Sequence, residues 1–144
     1  MKMEWDDNLS VGVELIDEQH KRWIEHLNNV SASIESHHGP IRISETLGFL
    51  ADYTRIHFST EEKNMTANNY PGFGHHKNKH EELKTTLNNL MQDYEEEGAT
   101  HTLAEAIDTF LGNWLTKHIR EVDMKFGEFI RDKGIVVSDE IEGD

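Results

Sequence analysis

The sequence predicts an all-α protein, an up-down-up-down antiparallel four-helix bundle preceded by an extended N-terminal arm. Three observations predict it. Apolar residues recur at three- and four-residue steps in four successive stretches, the period of one helix face. Gly, Pro and Asn cluster between those stretches, where chain reversals need them. Alternation of period two is absent, apart from a weak trace in Asn8-Leu-Ser-Val-Gly-Val. At 144 residues the chain is one domain by length, with enough material for one core.

Residues 1–16 hold no helical period and read as an arm laid on the bundle, with Trp5 as its anchor. Asp17 reads as the N-cap of helix A, about residues 17–38, whose stripe is His20, Trp23, Leu27, Val30 and Ile34. Gly39 fits the left-handed residue after that helix, and Pro40 forbids continuation. Ser44 is the expected cap of helix B, with Leu47, Leu50, Thr54, His57 and Glu61 inward and an end near Thr66. A turn through Tyr70-Pro-Gly leads to helix C from about His75, with His76, His80, Leu83, Leu87 and Leu90 on one face and Gly98 as its break. Thr102-Leu-Ala-Glu105 matches a capping box for helix D. Ile107, Leu111, Trp114, His118, Val122 and Phe126 follow, and Gly134 stops it. The expected organisation is therefore arm 1–16, bundle 17–134 and a polar, frayed tail 135–144.

Composition narrows function. The net charge of -14 and the lack of Lys/Arg clusters argue against nucleic acid. No stretch approaches the roughly 18 apolar residues of a membrane span, and the N-terminus opens on charges, so a cytoplasmic protein is expected. No cysteine is present, which removes disulfides and thiolate ligands. No exposed apolar face is evident, so a monomer is the expectation.

Ten histidines are the anomaly, and several lie on the inward stripes. Residues four apart on a helix lie within roughly 40° of each other. His57/Glu61 and His76/His80 therefore each aim two donors at one place, and His20 adds a third source. His118 and Asp123 are five apart, about 140° on an ideal helix. Either Asp123 reaches back or helix D is distorted there. Five imidazoles and two carboxylates in a core would each be costly to bury unpaired. Cations resolve that cost. Seven N/O donors exceed one tetrahedral zinc, and the absence of sulfur argues against iron–sulfur clusters. Two octahedral first-row ions sharing both carboxylates fit the count; with one solvent bridge as well, a single position stays vacant, on the ion that has two histidines.

His26, His37, His38, His75 and His101 read as ordinary surface or partly exposed residues, and Glu62 as solvated. Glu35-x-x-His38 is half of a ferritin-type carboxylate motif, but no inward stripe carries the second half.

Ile16-Asp-Glu-Gln-His20, His57-Phe-Ser-Thr-Glu61-Glu, Tyr70-Pro-Gly with His76-x-x-x-His80, and Trp114-Leu-x-x-His118-Ile-x-x-x-Asp123 stand in this order. Together they resemble the hemerythrin family, in its single-domain bacterial form, from about Trp5 to about Phe126. The five-residue spacing of His118 and Asp123 is also the spacing of that family. The resemblance implies a non-haem di-iron site, with one iron on His76, His80 and His118 and the other on His20 and His57. Glu61 and Asp123 would bridge the irons, with an oxo or hydroxo group between them. It further implies that dioxygen binds end-on at the five-coordinate iron near His20 and His57, in a pocket that Phe58, Trp114 and Leu115 line. Trp23 departs from the pattern, since family members commonly carry leucine three residues after the first histidine. The expected function is reversible dioxygen transport, storage or delivery, by a carrier and not an enzyme. NO, peroxide or azide-like anions are further candidate ligands. The competing functions are a peroxidase or NO-handling enzyme on the same site, and a stand-alone sensor.

Overall fold

The computed structural model describes residues 3–37, 39–107 and 112–138. Helices α1 (Glu14–Glu35), α2 (Pro40–Ala67) and α3 (Phe73–Glu97) are long and joined by short turns. The fourth helix of the bundle is composite. It comprises α4 (His101–Glu105), α5 (Gly112–His118), a π-helical turn (Ile119–Asp123) and α6 (Met124–Lys133). No strand occurs among the described residues, and the bundle expected from the periodicity is the fold. Leu111 of the helix D stripe and His38 lie outside the described residues. Among the described residues no helix is long and apolar enough to cross a membrane.

Four expected helix starts move, each for a local reason. Asp17 is not the cap of α1; Val13 holds that position, and the helix begins at Glu14. The Asp17 carboxylate accepts instead from Ser10 Oγ at 2.5 Å and from the Val11 amide at 2.8 Å, tying the arm to the first turn. Gly39 is extended, not left-handed: His37 takes the positive φ of 54°. Gly39 then caps α2, with Pro40 at the first helical position, where a missing N–H costs nothing. Ser44 is therefore inside a helix already begun. Helix α3 starts at Phe73, two residues before the expected His75. Thr100, not Thr102, caps α4 by accepting from the Leu103 amide at 3.1 Å. Gly134 closes α6 in the left-handed conformation, as read from the sequence.

The arm is docked. Met3 and Asn28 exchange two hydrogen bonds, Leu9 and Val11 are buried, and Trp5 packs on the core with the Lys21 ammonium over its ring. The Val11 carbonyl lies where any side chain at Gly127 would stand, so glycine is what lets the arm cross α6. Residues 135–138 at the start of the tail are docked as well, where fraying was expected, and the rest of the tail lies outside the described residues. Asn64 donates to the Ser138 carbonyl and accepts from its amide, while Ile135 and Val137 pack on the core.

Candidate metal centre

Along its length the core changes character. One half is aliphatic, built from Leu27, Val30 and Ile34 of α1, Ile43 and Leu47 of α2, and Leu87 and Leu90 of α3. In the other half the same stripes present His20, His57, Glu61, His76, His80, His118 and Asp123, none more than 3 % exposed. Two groups of donors form there. Glu61, His76, His80, His118 and Asp123 make one, and His20, His57, Glu61 and Asp123 the other, with donor atoms in each within 4.8 Å of one another. Both carboxylates belong to both groups.

All five histidines turn Nε2 inward. His76 Nε2 lies 2.8 Å and His118 Nε2 3.2 Å from Asp123 Oδ1, and His20 Nε2 lies 3.0 Å from Asp123 Oδ2. Glu61 Oε1 faces His80 at 3.2 Å, His57 at 3.3 Å and His76 at 3.6 Å. The π-helical turn resolves the alternatives left open by the five-residue spacing. Its backbone bonds run i→i+5, so residues five apart stack on one face. His118 and Asp123 bracket that turn, and helix distortion brings them together.

The crowding is not self-satisfying. Every inward Nε2 and all four carboxylate oxygens are buried without a hydrogen-bond partner. Buried polar groups are normally paired, so this many orphans at one place mark a site built for cations. The donor set is oxygen and imidazole nitrogen only, which suits first-row ions of higher coordination number over thiolate-selecting metals. The residues fit a metal cluster.

Electrostatics agree. Burial and the Asp123 carboxylate work against ionising Glu61, yet the His57 and His76 rings hold it well below the usual carboxylate range. Asp123 is likewise held low against burial, by His118 and His20. Burial lowers His57 and His118. At His76 burial is overcome by the carboxylates of Asp123 and Glu61, which push its pKa up to about 10. Against burial, the carboxylates in turn raise His20, His76 and His80 and so favour protons on those rings, while His57 and His118 stay lowered; a metal ion would take the place of those protons.

Two residues that spacing did not single out orient the rings. His57 Nδ1 donates to Gln19 Oε1 at 2.7 Å, and His80 Nδ1 donates to Glu62 Oε2 at 2.8 Å. Glu62, expected to be solvated, is instead a buried-side partner, its side chain only 18 % exposed. Each bond fixes the tautomer that leaves Nε2 with a free lone pair. The usable signal was chemical: a ligating imidazole needs an acceptor for its second nitrogen.

The aromatic residues divide between the two groups. Phe58 stacks on His80 with centroids 3.7 Å apart, and Trp114 stacks on His118 at 4.4 Å. Trp23 covers the other group, 5.2 Å from His57 and 6.3 Å from His20, and meets Phe58 edge-on at 5.3 Å. Its Nε1 donates to Thr54 Oγ1 at 2.9 Å, and Thr54 in turn donates to the Leu50 carbonyl. Leu115 is buried and, with Trp23, lines a small apolar cavity toward the aliphatic half. Among the histidines read as ordinary, His101 is exposed and pairs with Glu105, and His26 packs against the Tyr53 ring.

Fold and centre together define a class: an all-α bundle holding a buried His/Glu/Asp cluster able to bind metal. The family model of the hemerythrin HHE cation binding domain matches residues 11–130, and the chain belongs to that family. It is 30% identical over 127 residues to a bacteriohemerythrin of Stenotrophomonas maltophilia, covering 88% of this chain and 80% of that one. A bacteriohemerythrin of Pseudomonas aeruginosa is 30% identical over 141 residues, 96% of this chain and 89% of the relative. A myohemerythrin of Sipunculus nudus is 27% identical over 122 residues, 85% and 88% of the two chains. The crystal structure of a wild-type hemerythrin superposes with a TM-score of 0.77 at 26% identity, covering 88% of this chain and 95% of that chain.

Proposed function

We propose that this chain holds two iron ions and binds dioxygen reversibly, as a carrier or store. The observation that supports it is the asymmetry of the donors: three histidines in one group, two in the other, and both carboxylates common to both. In this reading His76, His80 and His118 would hold one ion and His20 and His57 the second, with Glu61 and Asp123 available to both. The group with fewer histidines would leave room for a small ligand, and two iron ions, when bound, would supply the redox chemistry that reversible dioxygen binding needs.

The protein's own residues do the rest. Gln19 and Glu62 hold His57 and His80 in the ligating tautomer. Trp23, Phe58, Trp114 and Leu115 form the water-excluding wall. The polar atoms of that wall near the two-histidine group, Trp23 Nε1 and Thr54 Oγ1, are engaged with each other and with the backbone. A catalyst of peroxide or NO chemistry needs a proton donor at the ligand, so this wall favours a carrier. The bundle 17–134 is the binding domain in this reading, with the described residues of the arm, 3–16, and of the tail, 135–138, as its clasps. Storage or delivery of dioxygen by a monomer in a bacterial cytoplasm is the role this reading supports.

The test is an anaerobic optical titration with iron analysis. Two irons per chain, and a visible charge-transfer band that appears with dioxygen and fades on its removal, are expected. Direct oxidation with no lasting band overturns the carrier reading in favour of peroxidase or NO chemistry.

A further inference from the structure

The chain carries 28 acidic residues against 14 Lys and Arg, yet its cations are not evenly spread. Arg55, Lys63, Lys77 and Lys84 line one open groove between α2 and α3, in which Glu62 is the one carboxylate among the described residues. Arg55 and Lys84 pair with Asp52 and Glu81 along their own helices. Lys63 and Lys77 meet no carboxylate among the described residues, and Lys77 lies over the Phe73 ring at 5.7 Å. Eight residues of helix separate Arg55 from Lys63, about 12 Å of rise. The basic strip therefore suits a patch on a macromolecule better than a single small anion.

What makes the groove more than a charged surface is its floor. Glu62 lines it, and Glu62 is the residue that accepts from His80 Nδ1 at 2.8 Å. His80 Nε2 in turn lies 3.2 Å from Glu61 inside the cluster. One carboxylate and one imidazole thus connect the groove to the centre. A second groove, by Trp114 and His118, carries Lys79, Lys117 and Lys125, but Glu82 and Glu121 share its wall.

We infer that the α2/α3 groove docks an acidic one-electron carrier protein, which returns the centre to its reduced state through Glu62 and His80. The inference rests on the di-iron reading. A dioxygen site recovers its electrons when the ligand leaves as dioxygen, but loses two of them whenever the ligand leaves as peroxide, and an external donor must then replace them. In each encounter the carrier is oxidised by one electron and one ferric ion becomes ferrous; two encounters restore the pair. The overall charge of -14 repels acidic partners elsewhere, so the basic strip also selects the docking orientation.

The experiment uses the full, iron-loaded chain and an acidic [2Fe–2S] ferredoxin as the probe. Calorimetry measures binding of the oxidised carrier, and stopped-flow absorbance measures reduction of the ferric centre by the reduced carrier, both at low and high salt. The variants are Lys63→Glu with Lys77→Glu, and, as the control, Lys117→Glu with Lys125→Glu. Both alter net charge equally, and thermal melts check that each folds. The groove variant is expected to weaken binding and slow reduction by about tenfold or more at low salt, while the control changes neither by more than about twofold. Equal weakening by both variants, or weakening by neither, overturns the proposal. Iron analysis separates the two readings: a chain without two irons refutes the di-iron function and the reduction step with it, while calorimetry alone judges the groove as a docking face.

Discussion

The two halves of the bundle interior treat buried polar groups in opposite ways. In the aliphatic half, Ser33 donates to the Val30 carbonyl, Thr46 donates to the Ile43 carbonyl, and the two hydroxyls meet at 3.0 Å. Each is satisfied within a turn of its own helix. In the centre half, seven side chains meet from the four helices of the bundle, the composite fourth included, and leave their inward atoms without hydrogen bonds. One half is complete as protein. In the proposed reading the other is completed by cations, so its stability should depend on metal, while stability at the far end depends on packing.

The largest test of that contrast is metal removal. Exhaustive chelation is expected to cost about 4 kcal/mol or more of apparent stability, as loss of any tight native-state ligand does. Hydrogen exchange should rise first around His57–Glu61 and the π-helical turn, and equal exposure of both halves would break the distinction. The single-residue counterpart is His118→Ala, which should drop iron below two per chain by elemental analysis. His101→Ala, at an exposed residue paired with Glu105, should leave iron content unaltered.

Next comes a change confined to the aliphatic half. Leu47 is 3 % exposed, and Leu47→Ala should cost roughly 2–4 kcal/mol in denaturant melts while iron content stays at the unmodified level. Loss of iron in that variant would mean that the halves are not separable. Trp23 stands at the boundary between them. Replacing Trp23 by Leu removes a buried ring and its bond to Thr54, at roughly 1–3 kcal/mol. It should also speed dioxygen association in stopped-flow, because the ring covering His20 and His57 is gone; an unchanged rate removes Trp23 as the barrier. The smallest effect is expected from Glu62→Gln, which keeps an acceptor for His80 but loses the charge. Metal affinity by competitive chelation should fall roughly tenfold.

Six of the candidate donors were legible in the sequence because helical periodicity is a strong constraint: polar residues at core positions of four stripes could converge only in the bundle interior, whereas Asp123, about 140° from His118 on an ideal helix, was legible only through the family resemblance. Gln19 and Glu62 were not legible, since an outward turn of one residue on its own helix says nothing about a ring arriving from another. Helix starts moved for a comparable reason. Several residues near each start could cap it, and the arm decided that Asp17 would bind Ser10 and Val11 instead.

By itself, the sequence determined the bundle and placed six of the seven candidate donors on its inward stripes, which follow from periodicity; Asp123 came from the family resemblance, and the expectation of cations from the cost of burying charge. Tertiary structure alone decided the geometry that makes them one site. Packing of the composite fourth helix places the π-helical turn where His118 and Asp123 must share a face. It also sets Glu62 against His80 and the Trp23 ring over His57. These are contacts between helices far apart in the chain, and local spacing carries no record of them.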